Sequence, residues 1–408
     1  MSSKHLPSQQ GTNIKLTIVA ALLAMLGPFS IDTYLPSFPA IEQEFSISRA
    51  TLSQSLSVYL AVFGITTLVW GPMSDRIGRR LVILTSLIIY ALASIGCAYS
   101  DNSTSFLVYR SLQGLGASGG FIAGRAMIRD AHSTKYAQKS MSQVMLLFAL
   151  APALAPIIGG WLQDISGWRS IFWFLTTFTI LLLILVQQTR ETLSVNARQS
   201  FHPKYVWSIY LRTLKHSKFC AMSLSLSFSF GGLFLYIAGA PTVVYDFLGM
   251  GTKDFAVLFV PMVAGLMVGS FLSSQMATRW CTKRLVTLGF SLLIVSVVCS
   301  LLLLMVFPIS KTTVITPLLF YTFGIAFIMP ALTVMSLDCF PDNRGSAASM
   351  QGFIQMMTNA LVASIAVPLL HNQVSHFVWG QLVFLLIATA LWIFAAYSEP
   401  STQGVKHA

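Results

Sequence analysis

Twelve apolar runs follow one another along the chain, at roughly 14–37, 51–73, 81–100, 104–128, 140–163, 168–188, 219–245, 254–276, 284–307, 313–338, 345–371 and 376–398. At ~1.5 Å rise per residue, about twenty residues of helix cover ~30 Å, the hydrocarbon thickness of a bilayer. Backbone in that medium must satisfy its own hydrogen bonds, so the pattern predicts an all-α membrane protein with twelve transmembrane helices. Only 9% of residues are charged, against about 25% in a soluble domain.

One longer gap, 189–218, divides the runs six and six. The expected organisation is a tail (1–13), a first six-helix bundle (14–188), a linker (189–218), a second six-helix bundle (219–398) and a tail (399–408). Arg79-Arg80-Leu81-Val82-Ile83-Leu84 opens the third run and Lys283-Arg284-Leu285-Val286-Thr287-Leu288 the ninth, which suggests two parallel repeats with pseudo-symmetry. Of the 25 Lys and Arg, Arg49, Arg169, Lys253 and Lys311 fall on one side and Arg110 inside a span. The others share the side of the two termini, so both termini are expected in the cytoplasm.

The formal charge of +12 comes from basic residues scattered between apolar runs, which argues against a nucleic-acid partner. In the linker, Trp207, Tyr210, Leu211 and Leu214 recur at helical spacing among basic residues. That reads as an amphipathic helix on the anionic inner leaflet, with protein docking as the alternative. The five cysteines show no C-x-x-C spacing and read as small buried hydrophobes, so no metal site is expected. The first run is too long for a cleaved signal peptide.

That first run also contains Asp32. A carboxylate inside a spanning helix costs ~2.5–3.5 kcal/mol, so it asks for a partner or a function. Arg110 in the fourth run is its counterpart. Counted from the span midpoints, both lie ~9–10 Å from the midplane on the side away from the termini. Two rare opposite charges at one depth predict an interaction, direct or through Gln113 or water.

Between the second and third runs the chain reads Gly71-Pro-Met-Ser-Asp75-Arg76-Ile-Gly78-Arg79-Arg80. A basic loop anchoring topology would need none of this fixed spacing. The stretch resembles the G-x-x-x-D-R-x-G-R-[RK] signature of the major facilitator superfamily, whose fold is two six-helix bundles about a central cavity. The resemblance implies a cytoplasmic gate that locks in the outward-open state, with Asp75 at the start of the eleventh span near Arg344, and that breaks as the cavity opens inward. The equivalent loop of the second half is degenerate, with Arg279 in place of the Asp and Thr282 in place of the second Gly.

Arg110-Ser-Leu-Gln113-Gly114-Leu-Gly116-Ala117 is similar to that family's R-x-x-Q-G-x-G-A element. Ala151-Pro152-Ala153-Leu154-Ala155-Pro156-Ile157-Ile158-Gly159-Gly160 puts Ala151, Ala155 and Gly159 on one small-residue stripe, where helices approach closely. It resembles the exporters' G-x-x-x-G-P-x-x-G-G element, with Ala for the first two glycines. With Asp32-Thr-Tyr-Leu-Pro36, these stretches look like the bicyclomycin/chloramphenicol-resistance branch of drug/proton antiporters.

The resemblance implies proton-coupled efflux of amphiphilic small molecules from a bacterial inner membrane by a monomer, with no cofactor. Asp32, Arg110 and Gln113 would couple the proton, because burial and the guanidinium act on Asp32 in opposite senses. Tyr34, Tyr59, Met145, Phe148, Tyr236 and Met356 are candidates to line the cavity. Gln351, Gln355 and Asn359 form a polar stripe on the eleventh span, facing either that cavity or a neighbouring helix. An uptake symporter for a sugar or organic acid would share the gate loop but not the fifth-span element. No H-E-x-x-H or G-x-S-x-G is present, and the chain reads as a transporter, not an enzyme.

Overall fold

The computed structural model describes residues 14–131, 134–194, 198 and 203–397. The two expected tails, 1–13 and 399–408, lie outside the described residues. The first half comprises α1 (Ile14–Asp32), α2 (Phe38–Phe45), α3 (Arg49–Ile77), α4 (Arg79–Ala98), α5 (Ser103–Ala131), α6 (Thr134–Ser166) and α7 (Arg169–Gln187). Helix α8 (Pro203–Lys215) occupies the linker. The second half comprises α9 (Ser217–Ala238), α10 (Phe255–Ala277), α11 (Thr282–Val306), α12 (Lys311–Leu337), α13 (Arg344–Leu361), α14 (Val367–Leu370) and α15 (Val374–Tyr397). No strand occurs among the described residues.

Eleven helical stretches are long and apolar enough to cross a membrane. The twelfth, α5, has the length but carries Arg110, Gln113, Arg125 and a run of glycines and serines. Its polarity has a packing cause: Arg110, Gln113, Gly114, Gly116 and Ala117 are all buried against protein rather than lipid.

Pseudo-symmetry is visible in the packing partners. In the first half α4 packs on α5 and α7, α3 on α5, and α1 on α6. In the second half α11 packs on α12 and α15, α10 on α12, and α9 on α13. Advancing each first-half span by six reproduces the second-half set. The two seams between halves, α3 with α13 and α6 with α10, also exchange under the same operation.

Call the end of the bundle where α1 begins and α15 stops the termini end, and the other the far end. Among the described residues, the side-chain polar contacts joining the halves lie at the far end. Arg49 contacts Asp246 and reaches Thr242 Oγ1 at 3.3 Å. Gln54 donates to the Ser364 carbonyl at 3.3 Å, and Tyr245 to that of Pro36 at 2.5 Å. Thr252 donates to Asp164 at 2.6 Å, and Lys253 pairs with the same carboxylate at 3.2 Å. Toward the termini end little covers α6 and α10: Gln143, Met145, Leu146 and Leu147 are exposed, as are Met267, Val268, Phe271 and Leu272.

The linker helix forms, but its faces differ from the expected ones. Tyr210 points into the bundle with Ile209 and Thr213, while Trp207, Leu211 and Leu214 are exposed. The i, i+3, i+4, i+7 spacing merged two adjacent stripes into one, because helical spacing cannot tell which neighbour a face meets.

Candidate functional site

The first span is not one continuous helix. Pro36 cannot donate to the Asp32 carbonyl and its ring crowds it, and the residue before a proline is pushed out of the helical region. Helix α1 therefore ends at Asp32, a 3₁₀ turn covers Leu35–Ser37, and α2 resumes at Phe38. Asp32 sits at this break, 3% exposed, with Oδ1 lacking any hydrogen-bond partner.

Helix α6 presses on the same break. A Cβ at Gly159 would lie 1.8 Å from the Thr33 carbonyl oxygen, and one at Gly160 2.4 Å from that of Thr252 in the other half. Adjacent glycines thus let one helix touch the Asp32 turn and the far-end seam at once. Ala151 and Ala155 are buried one and two turns along the same stripe, and Pro152 and Pro156 lie within an unbroken α6.

Arg110 is fully buried on α5. The expected direct pairing with Asp32 is not made: Arg110 Nη1 donates to Gln113 Oε1 at 2.7 Å, and neither Nε nor Nη2 has a partner. Its guanidinium carbon lies 4.5 Å from the Tyr34 ring centroid and 4.7 Å from that of Tyr59. Cation–π attraction in a desolvated site is worth ~2 kcal/mol or more, so two rings supply much of what a carboxylate would. Gln113 is oriented in turn by donating to Ser94 Oγ at 2.7 Å, and Tyr34 Oη shares a hydrogen with Ser55 Oγ at 2.9 Å. Depth matching had put Asp32 and Arg110 at one height, but it carried no information on azimuth. Tyr59 stands near both charges and near Ser30, and its own hydroxyl makes no hydrogen bond of ordinary geometry.

The signature loop folds on itself. Arg79, 4% exposed, holds Asp75 at 2.5 Å, Asp130 at 2.8 Å and Ser74 Oγ at 2.6 Å. The backbone N–H groups of Arg79 and Arg80 each donate to Glu191 at 3.0 Å, so a linker carboxylate caps α4 where the helix dipole favours negative charge. Arg80 also donates to the Gln187 carbonyl at 2.8 Å. Gly78 has φ +108°, and a Cβ there would stand 2.5 Å from Glu191 Oε2, so this position needs glycine for both space and conformation.

The cross-half contact of Asp75, expected while the termini end is shut, is not made among the described residues of this far-end-closed conformer. Arg344 instead pairs with Asp338 of its own half at 2.6 Å. Gly71 lies beside Ser349 of α13, with room for an ordinary contact, and Arg76 is exposed.

The other named residues are not gathered around one chamber. Tyr34 and Tyr59 are occupied by Arg110, and Tyr236 is buried with its ring 5.6 Å from that of Phe377. Gln351 donates to Ser336 Oγ at 2.9 Å, which is the packing alternative, while buried Asn359 leaves Oδ1 unpartnered. Met356 packs where α3 passes at Gly64, Gln355 and Phe148 are half-buried, and Met145 is exposed. Two cavities lie at the far-end seam, one of about 490 Å³ beside Pro36, Arg49, Gln163 and Tyr245 and one of about 230 Å³ beside Ser53, Thr242 and His371.

Sequence reasoning missed Asp130, Glu191, Asp164 and Asp246 as partners. A signal existed, because only 13 Asp and Glu occur in 408 residues. Each acid in such a chain is worth assigning to a cation.

Relatives that match most of this chain include the following three. An uncharacterised MFS-type transporter, YdgK, of Bacillus subtilis is 30% identical over 86% of this chain and 88% of its own length. A bicyclomycin resistance protein homolog of Haemophilus influenzae is 24% identical over 97% of this chain and 100% of its own. Multidrug resistance protein D of Escherichia coli is 25% identical over 87% and 89%. The fold matches a crystal structure of a D-xylose-proton symporter with a TM-score of 0.74 at 16% identity, covering 96% of this chain and 99% of that one. A bacterial homolog of the lysosomal transporter Spinster matches with a TM-score of 0.71 at 18% identity, covering 97% and 98%. The Major Facilitator Superfamily profile matches residues 20–367, and the chain is a member of that family of membrane transporters.

Proposed function

We propose that this transporter exports amphiphilic small molecules, antibiotics of the chloramphenicol or bicyclomycin kind among them, in exchange for protons. The carrying observation is the pair of unsatisfied buried charges in the first half, Asp32 Oδ1 at the α1 break and Arg110 Nε and Nη2 between two tyrosines. Their neighbourhood in a chain related to proteins named for multidrug and bicyclomycin resistance supports the reading. A buried carboxylate oxygen without a partner is costly when charged, which suits a proton-loaded Asp32 in this arrangement.

The excess of Lys and Arg at the termini end supports a cytoplasmic placement of that end, in a bacterial inner membrane with both termini inside. The far-end contacts then fit a conformer closed toward the outside, in a protein we take to work as a monomer. Drug binds from the inside, Asp32 releases its proton inward, and the halves rock about the α3–α13 and α6–α10 seams. On the outside a new proton neutralises Asp32 as drug leaves. A potential of 100 mV contributes ~2.3 kcal/mol per proton, about a fifty-fold gradient from the charge alone. No cofactor enters this scheme.

The test is transport in proteoliposomes loaded with a pH dye. Drug addition should drive proton movement in the native protein and none in Asp32→Asn, with binding retained. Unaltered proton movement in Asp32→Asn would overturn the coupling role. Accumulation of drug in inverted vesicles separates export from uptake by a sugar or organic-acid symporter.

A further inference from the structure

Helix α8 presents three faces in a fixed order. At ~100° per residue, Ile209, Thr213 and Tyr210 occupy one arc, Trp207, Leu211 and Leu214 the next, and Lys215 and Arg212 the one after. The first arc is buried in the bundle. The middle arc is apolar yet exposed, at 62%, 40% and 47%. The third is basic and exposed, and the helix contains no acid. An apolar stripe held between a protein-facing and a cationic stripe matches a helix at a membrane interface, with acyl chains against Trp207 and headgroups against Arg212 and Lys215.

The buried arc touches both halves. Tyr210 Oη donates to the Leu68 carbonyl of α3 at 3.0 Å, and its ring packs in a small core with Phe219, Ala347, Met350 and Ile354 of the second half. Burial pushes this hydroxyl up to about 12, with Asp75 adding to the effect, so it stays a donor throughout the physiological range. Among the described residues, the polar contacts made directly between the halves lie at the far end, and α8 bridges the halves at the termini end.

We propose that α8 binds phospholipids with anionic headgroups through Trp207, Leu211, Leu214, Arg212 and Lys215, and that Tyr210 transmits this binding to the α3–α13 seam. Anionic lipid then stabilises the conformer in which α8 bridges the halves and the far end is closed. This holds whatever the transported substrate is.

The experiment uses the full chain in nanodiscs of phosphatidylcholine, with and without phosphatidylglycerol. Brominated acyl chains should quench the part of the tryptophan emission that Trp207→Phe removes. Spin labels at Ile165→Cys and Gly251→Cys, with the native cysteines replaced by serine, report far-end closure. Phosphatidylglycerol should raise the closed fraction, and Arg212→Gln with Lys215→Gln should weaken that response by roughly thirtyfold at low salt, about fivefold per charge. Tyr210→Phe should keep the quenching and lose the response. A Trp207 signal untouched by brominated lipid would overturn the proposal and leave a soluble protein as the occupant of this face. A lipid response that survives Tyr210→Phe would overturn the transmission route.

Discussion

Lys253 Nζ stands 3.2 Å from Asp164 Oδ2 across the boundary between the two halves, at the end of α6 and in the turn that leads into α10. Arg49, pinned by Glu42 at 2.8 Å, reaches over the same boundary to Asp246. These pairs, and the Gly160 contact beneath them, close the far end. They must separate if the halves rock.

The first prediction concerns that closure. Partly exposed ion pairs are worth ~0.2–1 kcal/mol each, so Asp164→Asn with Asp246→Asn should shift the conformer balance toward far-end opening by roughly two- to thirtyfold. Ala40→Cys, on the wall of the cavity beside Arg49, should be alkylated correspondingly faster. An unchanged rate would show that apolar packing alone holds the seam.

Two neighbouring glycines should fail differently. Gly159→Ala drives a methyl into the Thr33 carbonyl, inside the first half, and should destabilise the folded protein by ~1–3 kcal/mol. Gly160→Ala meets Thr252 across the seam, so the halves can relieve it by separating. Thermal unfolding in detergent should drop for the first, while the second should mainly speed labelling at Ala40→Cys. Equal losses of stability would refute this division.

Around Arg110, the aromatic rings matter and the Tyr59 hydroxyl does not. Its Oη makes no hydrogen bond of ordinary geometry, so Tyr59→Phe should leave stability within ~0.5 kcal/mol of the native value. Tyr59→Leu removes one face of the clamp and should cost ~2 kcal/mol. Matching losses in denaturant titrations of both variants would mean the hydroxyl contributes after all.

In the signature loop, Arg79→Lys should be severe, since one ammonium cannot serve Asp75, Asp130 and Ser74 together. Arg79 is buried but Asp75 is partly exposed, so losing the fork that serves all three partners should cost ~2–3 kcal/mol. Glu191→Gln keeps an acceptor for the α4 amides and should cost only ~1 kcal/mol. Comparing the unfolding midpoints ranks the two, and a reversed order would contradict the geometry.

Much of this architecture was legible before any coordinates. Spanning helices follow from local composition and length, since each satisfies its own backbone and needs no partner to be recognised. For the same reason the six-plus-six division, the Ala151–Ala155–Gly159 stripe and the unusual burial of Asp32 and Arg110 could be read from the chain. Local geometry also settles the break after Asp32, through Pro36, although the apolar run alone had suggested continuity to Ser37. Pairing is different, because it depends on how each helix is rotated against its neighbours. Equal depth suggested Asp32 with Arg110, yet rotation gave Arg110 to Tyr34, Tyr59 and Gln113. Family likeness aimed Asp75 at the start of α13 only while the termini end is shut; in this far-end-closed conformer it bonds Arg79 while Arg344 takes Asp338. Helical spacing found the linker helix, and only packing against α3 and α13 turned Tyr210 inward and left Trp207 outside. Sequence determined which segments form helices and which charges are out of place; the relative rotation of those helices, fixed by side-chain contacts distant in the chain, decided which groups meet.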